Sequence, residues 1–465
     1  MIVALVVACA MFMTNVDGSA ITTALPDMAQ SLGSTPAHMS LAITSYMLSL
    51  AVFIPVSGWV ADRYGARTVF RAAIGVFTLA SIWCGLSHSE MELTLARLVQ
   101  GIGGAMMTPV GRLVVFRSVP KSEVVRAMSY ITVPAFVGPI VGPPLGGFIT
   151  TYLDWRWIFF VNVPIGILGM VLATVYFKNF RSEEKRPLDW IGFLLSGGSL
   201  SGLMYGLELI GRRESGVELY LLMGGGLIAG VLAVLHSLRH PSPLLDLSLL
   251  KLPTFRISVD GGSFFRTAVG AIVFLIPLLL QVGFGMTAFQ SGLITLSGAV
   301  GTVLAKTVIQ YTLRWFGYRP VLVWNGVACA ASILVCGFFT ETTPVVVLVI
   351  LLGLGGLIRS TQYSALNTIV FAEVPAQRLA NATSFSSMVQ QLSGGLGVAV
   401  AAVLLQISMV WRGVGTEAMN AIDIRFALFA VGVCSAVAIF FYLRLAPDAA
   451  ADISGHRKKG EAAAP

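Results

Sequence analysis

Charge is scarce in this sequence. Asp, Glu, Lys and Arg make up 11% of its 465 residues, against about 25% in an ordinary soluble domain. With 56% of the chain hydrophobic, no soluble fold of this size could hide the apolar surface. Lipid is the solvent that tolerates such a composition. Cysteine is sparse too. Cys9, Cys84, Cys329, Cys336 and Cys434 all fall inside apolar runs, and none has zinc-ligand spacing, which argues against a disulfide framework or a metal site. No Gly-rich phosphate loop ending in Lys-Ser or Lys-Thr is present, no nucleophile elbow is seen, and the five His are scattered. These absences argue against an enzyme and against any cofactor. The run Met1–Ala10 has neither a basic leader nor a small-residue cleavage site, so it reads as a first spanning helix rather than a signal peptide.

What the chain does have is long apolar runs. A spanning helix needs about 20 mostly apolar residues. Fourteen such runs are read at 2–24, 41–61, 70–88, 93–116, 126–150, 157–177, 189–210, 217–236, 257–283, 289–312, 320–339, 344–371, 381–409 and 424–444. The layout is six, two, six. It divides the chain into a six-helix bundle at 1–180, two additional helices and a linker at 181–256, a second six-helix bundle at 257–446, and a disordered basic tail at 447–465. The loops are short, so no soluble domain carries separate chemistry. Glycine, at 49 residues, suits close helix approach in a membrane bundle, where packing replaces the hydrophobic drive between helices.

The net charge of +8 invites a nucleic-acid reading, but the pattern points elsewhere. Arg63, Arg67, Arg71, Arg117, Lys178, Arg239, Arg314, Arg319, Lys458 and Lys459 are among the many basic residues that fall on one side of the alternating runs. Only Arg156, Arg212, Arg213 and Arg412 fall on the other. This is the positive-inside pattern. It excludes nucleic acid as a partner and places both termini of a multi-pass membrane protein in the cytoplasm.

Several motifs stand at fixed places in this frame. Between runs two and three the chain reads Gly58-Trp-Val-Ala-Asp62-Arg63-Tyr-Gly65-Ala-Arg67. The first glycine suits close helix packing, and the second permits a tight turn. The fifth run contains Gly138-Pro139-Ile-Val-Gly142-Pro143-Pro144-Leu-Gly146-Gly147, where proline removes a helical donor and glycine admits a neighbour. Asp17 lies inside the first run, and Arg97-Leu-Val-Gln100-Gly101 opens the fourth. A charge within the hydrocarbon zone costs several kcal/mol unless it is partnered or faces a cavity, so both are functional candidates. A bland reading stands beside each: Asp17 capped by hydroxyls such as Thr14 and Ser19, and Arg97 snorkelling to the headgroups.

Taken together these segments resemble the major facilitator superfamily, and within it the fourteen-helix drug:proton antiporter branch of EmrB/QacA type. Trp155-Arg-Trp157-Ile-Phe-Phe-Val-Asn162-Val-Pro164 and Pro243-Leu-Leu-Asp246-Leu sharpen the match, which covers essentially the whole chain. The resemblance implies an all-α membrane protein of two six-helix bundles with two peripheral helices between them. It implies that Gly58, Asp62, Arg63, Gly65 and Arg67 form a gating latch, with Asp62 near the start of the thirteenth helix around 380–383. It implies an antiporter motif at Gly138, Pro139, Gly142, Pro143, Gly146 and Gly147, hence export, and proton coupling through Asp17 and Arg97. The expected partners are a small-molecule substrate, protons and membrane lipid. The expected state is a monomer, with a periplasmic adaptor left open. Proton-coupled export of small lipophilic compounds is the leading reading. A dedicated exporter of one metabolite, lipid or organic anion is the alternative, and Met106 and Met107 lean weakly toward adaptable walls.

The second half departs from the pattern. Its copy of the latch reads Gln310-Tyr-Thr-Leu-Arg314-Trp-Phe-Gly317-Tyr-Arg319, without the first glycine and without the acid. This half instead carries embedded charges at Asp260, Arg266, Lys306 and Arg359, with Gln362 and Asn367 nearby. Arg266, Lys306, Arg359, Gln362 and Asn367 are the candidate cavity residues. Three embedded cations with few acids suggest an electropositive wall and a partly anionic substrate. A structural network of the same cations is the alternative.

Overall fold

The computed structural model describes residues 2–118, 137–138, 141–180, 187–211, 216–241, 243–375, 378–414, 419–447 and 449–450. Pro139, Arg212, Arg213 and nearly all of the expected tail lie outside the described residues. Among the described residues the chain is helical throughout, with no strand. The first half comprises α1 (Ile2–Ser31), α2 (Ser40–Tyr64), α3 (Ala66–Leu86), α4 (Glu90–Ser118), α5 (141–152) and α6 (Trp157–Tyr176). Two helices follow, α7 (Trp190–Gly211) and α8 (Val217–Arg239). The second half comprises α9 (Pro253–Leu278), α10 (Ala288–Phe316), α11 (Tyr318–Cys336), α12 (Val345–Ile369), α13 (Leu379–Trp411) and α14 (Ala421–Tyr442). Among the described residues, thirteen helices are long and apolar enough to cross a membrane. The protein is therefore a multi-pass membrane protein. Much of the fifth expected run, 126–150, falls outside the described residues, and its latter part is α5.

Local chemistry sets the ends of these helices. Thr287 and Gln290 form a reciprocal capping box at the start of α10, as Asn420 and Asp423 do for α14. Pro253 sits in the first turn of α9, where its missing N–H costs nothing, and Glu373 accepts from the Thr254 N–H at 3.0 Å. At the other end of α9, Pro277 precedes a π turn at Leu279–Gly283, a widening that accommodates the lost donor. The first helix runs on to Ser31 through Pro26 and Asp27, beyond the apolar run that marks it in sequence.

The core is divided unequally. At one end of the molecule a single apolar cluster joins both halves: Ile21, Leu25 and Met28 of α1 and Phe159 of α6 pack with Phe274 and Leu275 of α9, Leu405 of α13 and Leu428 of α14. At the opposite end each half has its own cluster. Val7, Phe70, Phe77 and Val114 serve the first, and Phe265, Leu322, Leu366 and Tyr442 the second. A narrow seam of Ala51, Phe255, Phe385 and Met388 connects them there. The molecule is thus sealed at one end and split at the other. Helix α8 lies on the outside, with 6% of its span buried, and leans on α7.

The split end carries both copies of the turn motif. Gly65 joins α2 to α3 at φ +96° and Gly317 joins α10 to α11 at φ +76°, a region that favours glycine. A Cβ on Gly65 would run into the Asn179 side chain. Arg67 Nη1 donates to the Phe177 carbonyl at 3.5 Å, and Arg319 Nη2 donates to the Leu443 carbonyl at 3.2 Å. Each half therefore braces its turn on the end of its own last helix. Gly58 behaves differently. It is exposed, and a Cβ there would meet nothing within 4 Å, so the close helix packing expected of it is not made. Asp62 is half-buried in the last turn of α2 and Arg63 lies over Trp59 at 5.7 Å.

The start of α13 is held by the linker between the halves. Asp246 Oδ2 accepts from Arg378 Nη2 at 2.5 Å, and Asp246 also caps the 3-10 turn Leu247–Lys251 through Ser248. Burial pushes the Asp246 carboxyl up, but the Ser248 and Arg378 hydrogen bonds outweigh it and hold the group below the usual carboxylate range. A depressed folded pKa contributes stability above the unfolded value of about 3.9 and loses it as pH falls through the folded value. The brace is therefore constant around neutral pH.

Replacement of Gly65 by Ala is expected to destabilise the protein by about 1–3 kcal/mol, the range for a side chain forced into a sparsely populated backbone region. Gly58→Ala should stay within about 0.5 kcal/mol of the parent, as open surface substitutions do. Thermal unfolding in detergent compares the two. Equal losses would show that the turn is not strained.

Candidate functional site

The embedded charges of the first half find one another. Asp17 on α1 and Arg97 on α4 are both buried, at 1% and 0% exposure. Arg97 Nη1 donates to Asp17 Oδ2 at 2.5 Å. The other carboxylate oxygen, Oδ1, accepts from Gln100 Nε2 at 3.0 Å and from Asn162 Nδ2 of α6 at 2.8 Å. Gln100 and Asn162 both also donate to Ser81 Oγ on α3. Arg97 Nε donates to the Ala42 carbonyl of α2 at 3.0 Å, and the guanidinium lies 4.2 Å from the centre of the Tyr46 ring. Five helices therefore meet at one ion pair. Thr14 and Ser19 do not cap Asp17. They donate to the carbonyls of Met11 and Asn15. Nor does Arg97 snorkel, being wholly enclosed. Breaking one partner of such a buried pair strands the other charge, whereas neutralising both can be tolerated.

Sequence reading marks Asp17 and Arg97 by their charge but assigns no role to Gln100, Asn162, Ser81 or Tyr46. An amide within an apolar helix is the signal available for Gln100 and Asn162. Only the fold shows that both point at one carboxylate.

The glycine- and proline-rich segment packs α5 along α1. Gly138, Gly142 and Gly146 follow at intervals of four and face Asn15, Ser19 and Ala20 with Thr23; a Cβ on Gly138 would lie 2.7 Å from that of Asn15, and those on Gly142 and Gly146 would overlap the facing helix. Thr23 Oγ1 donates to the Pro143 carbonyl at 3.3 Å. Gly147 turns the other way, onto the backbone of Ala288 and Phe289 at the start of α10. The glycines thus bring α1, α5 and α10 together at the sealed end, where Gln281 Nε2 also donates to the Thr23 carbonyl at 3.0 Å.

Beside this seam lies a cavity of about 430 Å³. Its walls come mainly from α9, α10 and α12, closed by Ser19 and Thr22 of α1 and by Pro143. They are apolar for the most part, with Ile272, Val273, Ile276 and Leu352, relieved by Thr295, Thr302, Ser360 and Tyr363. Among the described residues of the lining, Lys306 and Arg359 are the charged ones. Lys306 Nζ donates to Ser364 Oγ at 2.6 Å. Arg359 Nη1 is buried and has no hydrogen-bond partner among the described residues.

The remaining cavity candidates are elsewhere. Arg266, 2% exposed, donates through Nη1 to the Ser258 carbonyl at 2.9 Å and lies 3.5 Å from Asn367 Oδ1. Gln362 donates to the Leu322 carbonyl and accepts from Asn325. These three knit α9, α11 and α12 together and are not part of the lining. Asp260 is satisfied on its own helix by Arg256 at 3.3 Å. The spacing in sequence places all the cations at membrane depth, but the rotation of each helix decides which of them reach the cavity.

Two half-bundles around a cavity, sealed at one end, are the architecture of a secondary transporter. The chain belongs to the Major Facilitator Superfamily, whose family profile matches residues 7–254 and 261–465, and it is a transporter rather than an enzyme. Its relatives include a protein of Salmonella heidelberg that bears the provisional name multidrug resistance protein MdtD, 37% identical over 409 residues, covering 86% of this chain and 85% of the relative. The protein of the same name from Escherichia coli O6:H1 is 38% identical over 407 residues, with the same coverage. Among solved structures, a D-xylose–proton symporter matches the fold with a TM-score of 0.67 at 15% identity, covering 96% of this chain and 98% of that one. A bacterial homologue of the human lysosomal transporter Spinster, in an inward-facing and unoccupied conformation, matches with a TM-score of 0.64 at 15% identity and 95% of each chain.

An Arg97→Leu variant should lose about 3–5 kcal/mol of stability, the cost of leaving the Asp17 charge buried alone. A double Asp17→Asn, Arg97→Gln variant should recover a large part of it. Thermal unfolding of the purified proteins measures both. An Arg97→Leu protein as stable as the parent would show that the ion pair is not what holds the five helices.

Proposed function

We propose that this protein is a proton-coupled exporter of small lipophilic compounds in the bacterial inner membrane, with both termini in the cytoplasm. The orientation rests on the basic residues, which crowd the split end. With that end inside, the structure corresponds to an inward-facing state. The name of its relatives points to multidrug-type efflux, and the glycine-rich α1–α5 contact fits the antiporter motif. One chain supplies both half-bundles and the cavity, so a monomer is sufficient.

The observation that carries the mechanism is the position of α1. One face of this helix holds Asp17 in the Arg97–Gln100–Asn162 network, and its next turns present Ser19 and Thr22 to the cavity. Cargo and proton therefore act on one helix. A proton taken up by Asp17 ends the ion pair and releases α1 from α4. Cargo pressing on Ser19 and Thr22 favours the arrangement in which the pair is re-formed. The glycines of α5 give a side-chain-free surface along which α1 can shift. Asp62, with Arg63, Gly65 and Arg67, is the gate at the split end in this reading.

The charge of the lining favours a second, narrower reading. Lys306 and Arg359 in the lining favour cargo that carries an anionic group on an apolar body, and a dedicated exporter of one organic anion would use the same wall.

The test is proton movement in inverted vesicles, with cationic, neutral and anionic lipophiles added in turn. Cargo should trigger proton release in the parent and not in Asp17→Asn. Normal coupling in Asp17→Asn would remove that residue from the proton path. Lys306→Ala with Arg359→Ala should raise the apparent KM for anions roughly 10–100-fold, as expected for charge-assisted hydrogen bonds worth about 1.5–3 kcal/mol, while neutral cargo is little changed. Response to a single anion across the panel would establish the dedicated exporter. Equal transport of all charges by the double variant would sink the anion preference.

A further inference from the structure

The two helices between the halves carry a cluster that the transport mechanism does not use. His236 and His240 stand four residues apart on the last turn of α8 and just beyond it, on one helix face. Their rings lie 5.0 Å apart and 33° from coplanar. The hairpin brings Asp189, at the start of α7, to the same place, with Oδ1 2.7 Å from His236 Nε2. One ligand atom from each of the three residues can be chosen so that all lie within 4.8 Å of one another. Ligands of a tetrahedral ion at about 2.1 Å stand about 3.4 Å apart, so small side-chain rotations close the set. We propose that Asp189, His236 and His240 bind a divalent transition-metal ion of the zinc class, with water in the fourth position.

Four features support this beyond the residue types. Two His at i and i+4 present their rings to one side of a helix, the spacing used by helical zinc sites. The carboxylate is held by the chain around it: Gly192 N–H donates to Oδ1 at 2.8 Å and Leu244 N–H to Oδ2 at 3.1 Å. Outer-shell bonds of this kind fix a ligand before the metal arrives. Asp189 is buried while both His are half-exposed, so an ion has a way in and a water has a place. Imidazole with one carboxylate suits zinc, cobalt, nickel or copper rather than calcium or magnesium, which prefer oxygen ligands. The ion would join α7, α8 and the 240–244 segment at one point. That segment leads into the linker that Asp246 fastens to α13, so the site would stiffen the only covalent connection between the two halves.

The proposal is independent of cargo and proton coupling, and its test reads metal rather than transport. The full-length protein, purified without a histidine tag and stripped with chelator, is dialysed against Zn2+, and the bound metal is counted. Co2+ is then used as a coloured substitute whose visible spectrum reports an imidazole-containing, four-coordinate site. The parent should bind one ion at least about tenfold more tightly than His236→Ala with His240→Ala, the scale on which changes at metal sites act. Zn2+ should raise the thermal midpoint of the parent and not of the double variant. Asp189→Asn keeps an oxygen to cap α7 and should weaken binding while folding normally. His88→Ala, remote from the cluster, should bind as the parent does. Equal Zn2+ affinity in the parent and the double variant, or a Co2+ spectrum of a fully hydrated ion in the parent, would overturn the proposal and leave the cluster as a His–Asp hydrogen bond that braces the hairpin.

Discussion

The Asp17–Arg97 pair is the contact on which the first half of this protein is organised. In water such a pair is worth little, because both charges are well solvated without each other. Inside a helical bundle neither can be left alone, so the position of each helix that touches the pair is constrained. The constraint is unusually broad. The carboxylate engages α1, α4 and α6, the amides pass it on to α3, and the guanidinium reaches α2. Protonation of Asp17 would therefore loosen the packing of five helices together. That is the kind of two-state element that conformational coupling needs.

The division of the apolar core gives this element something to act on. Where the clusters of the two halves merge, glycine and proline replace bulk and the backbones of α1, α5 and α10 come close. Where they separate, each half keeps a complete core of its own. The halves can thus tilt about the sealed end without exposing either interior, since only the shared cluster and the narrow seam must be repacked. The two braced turns, at Gly65 and Gly317, each tie to the last helix of their own half.

Much of the fold is legible in the sequence because the bilayer imposes one length and one chemistry on every span. The runs, the six-two-six layout and the paired turn glycines all follow from that. The buried ion pair is legible for a related reason: a charge at membrane depth is too costly to be incidental. Legibility ends at helix rotation. Arg266, Lys306 and Arg359 are alike in sequence, yet Arg266 is spent on the carbonyl of Ser258 while the other two reach the cavity. No pattern of apolar residues distinguishes them, since all three helices are apolar on nearly every face. Gln100 and Asn162 are missed because an amide carries no charge to betray it. The Asp189–His236–His240 cluster is missed because Asp189 lies 47 and 51 positions from the two His along the chain, and only the α7–α8 hairpin brings them together.

The lining of the cavity also bears on energetics across the whole membrane. Moving one elementary charge across a potential of 100 mV is worth about 2.3 kcal/mol. Bacterial membranes are negative inside, so a cation must be pushed outward against the field, whereas an anion is drawn out by it. If the cargo is anionic, a wall built from Lys306 and Arg359 gathers the sign that the field already expels. Each proton entering and each anion leaving then moves charge in the same electrical direction, and the potential drives both. An exporter of this kind would draw on membrane voltage as well as on the pH gradient, and it would continue to work where the pH inside and outside are equal.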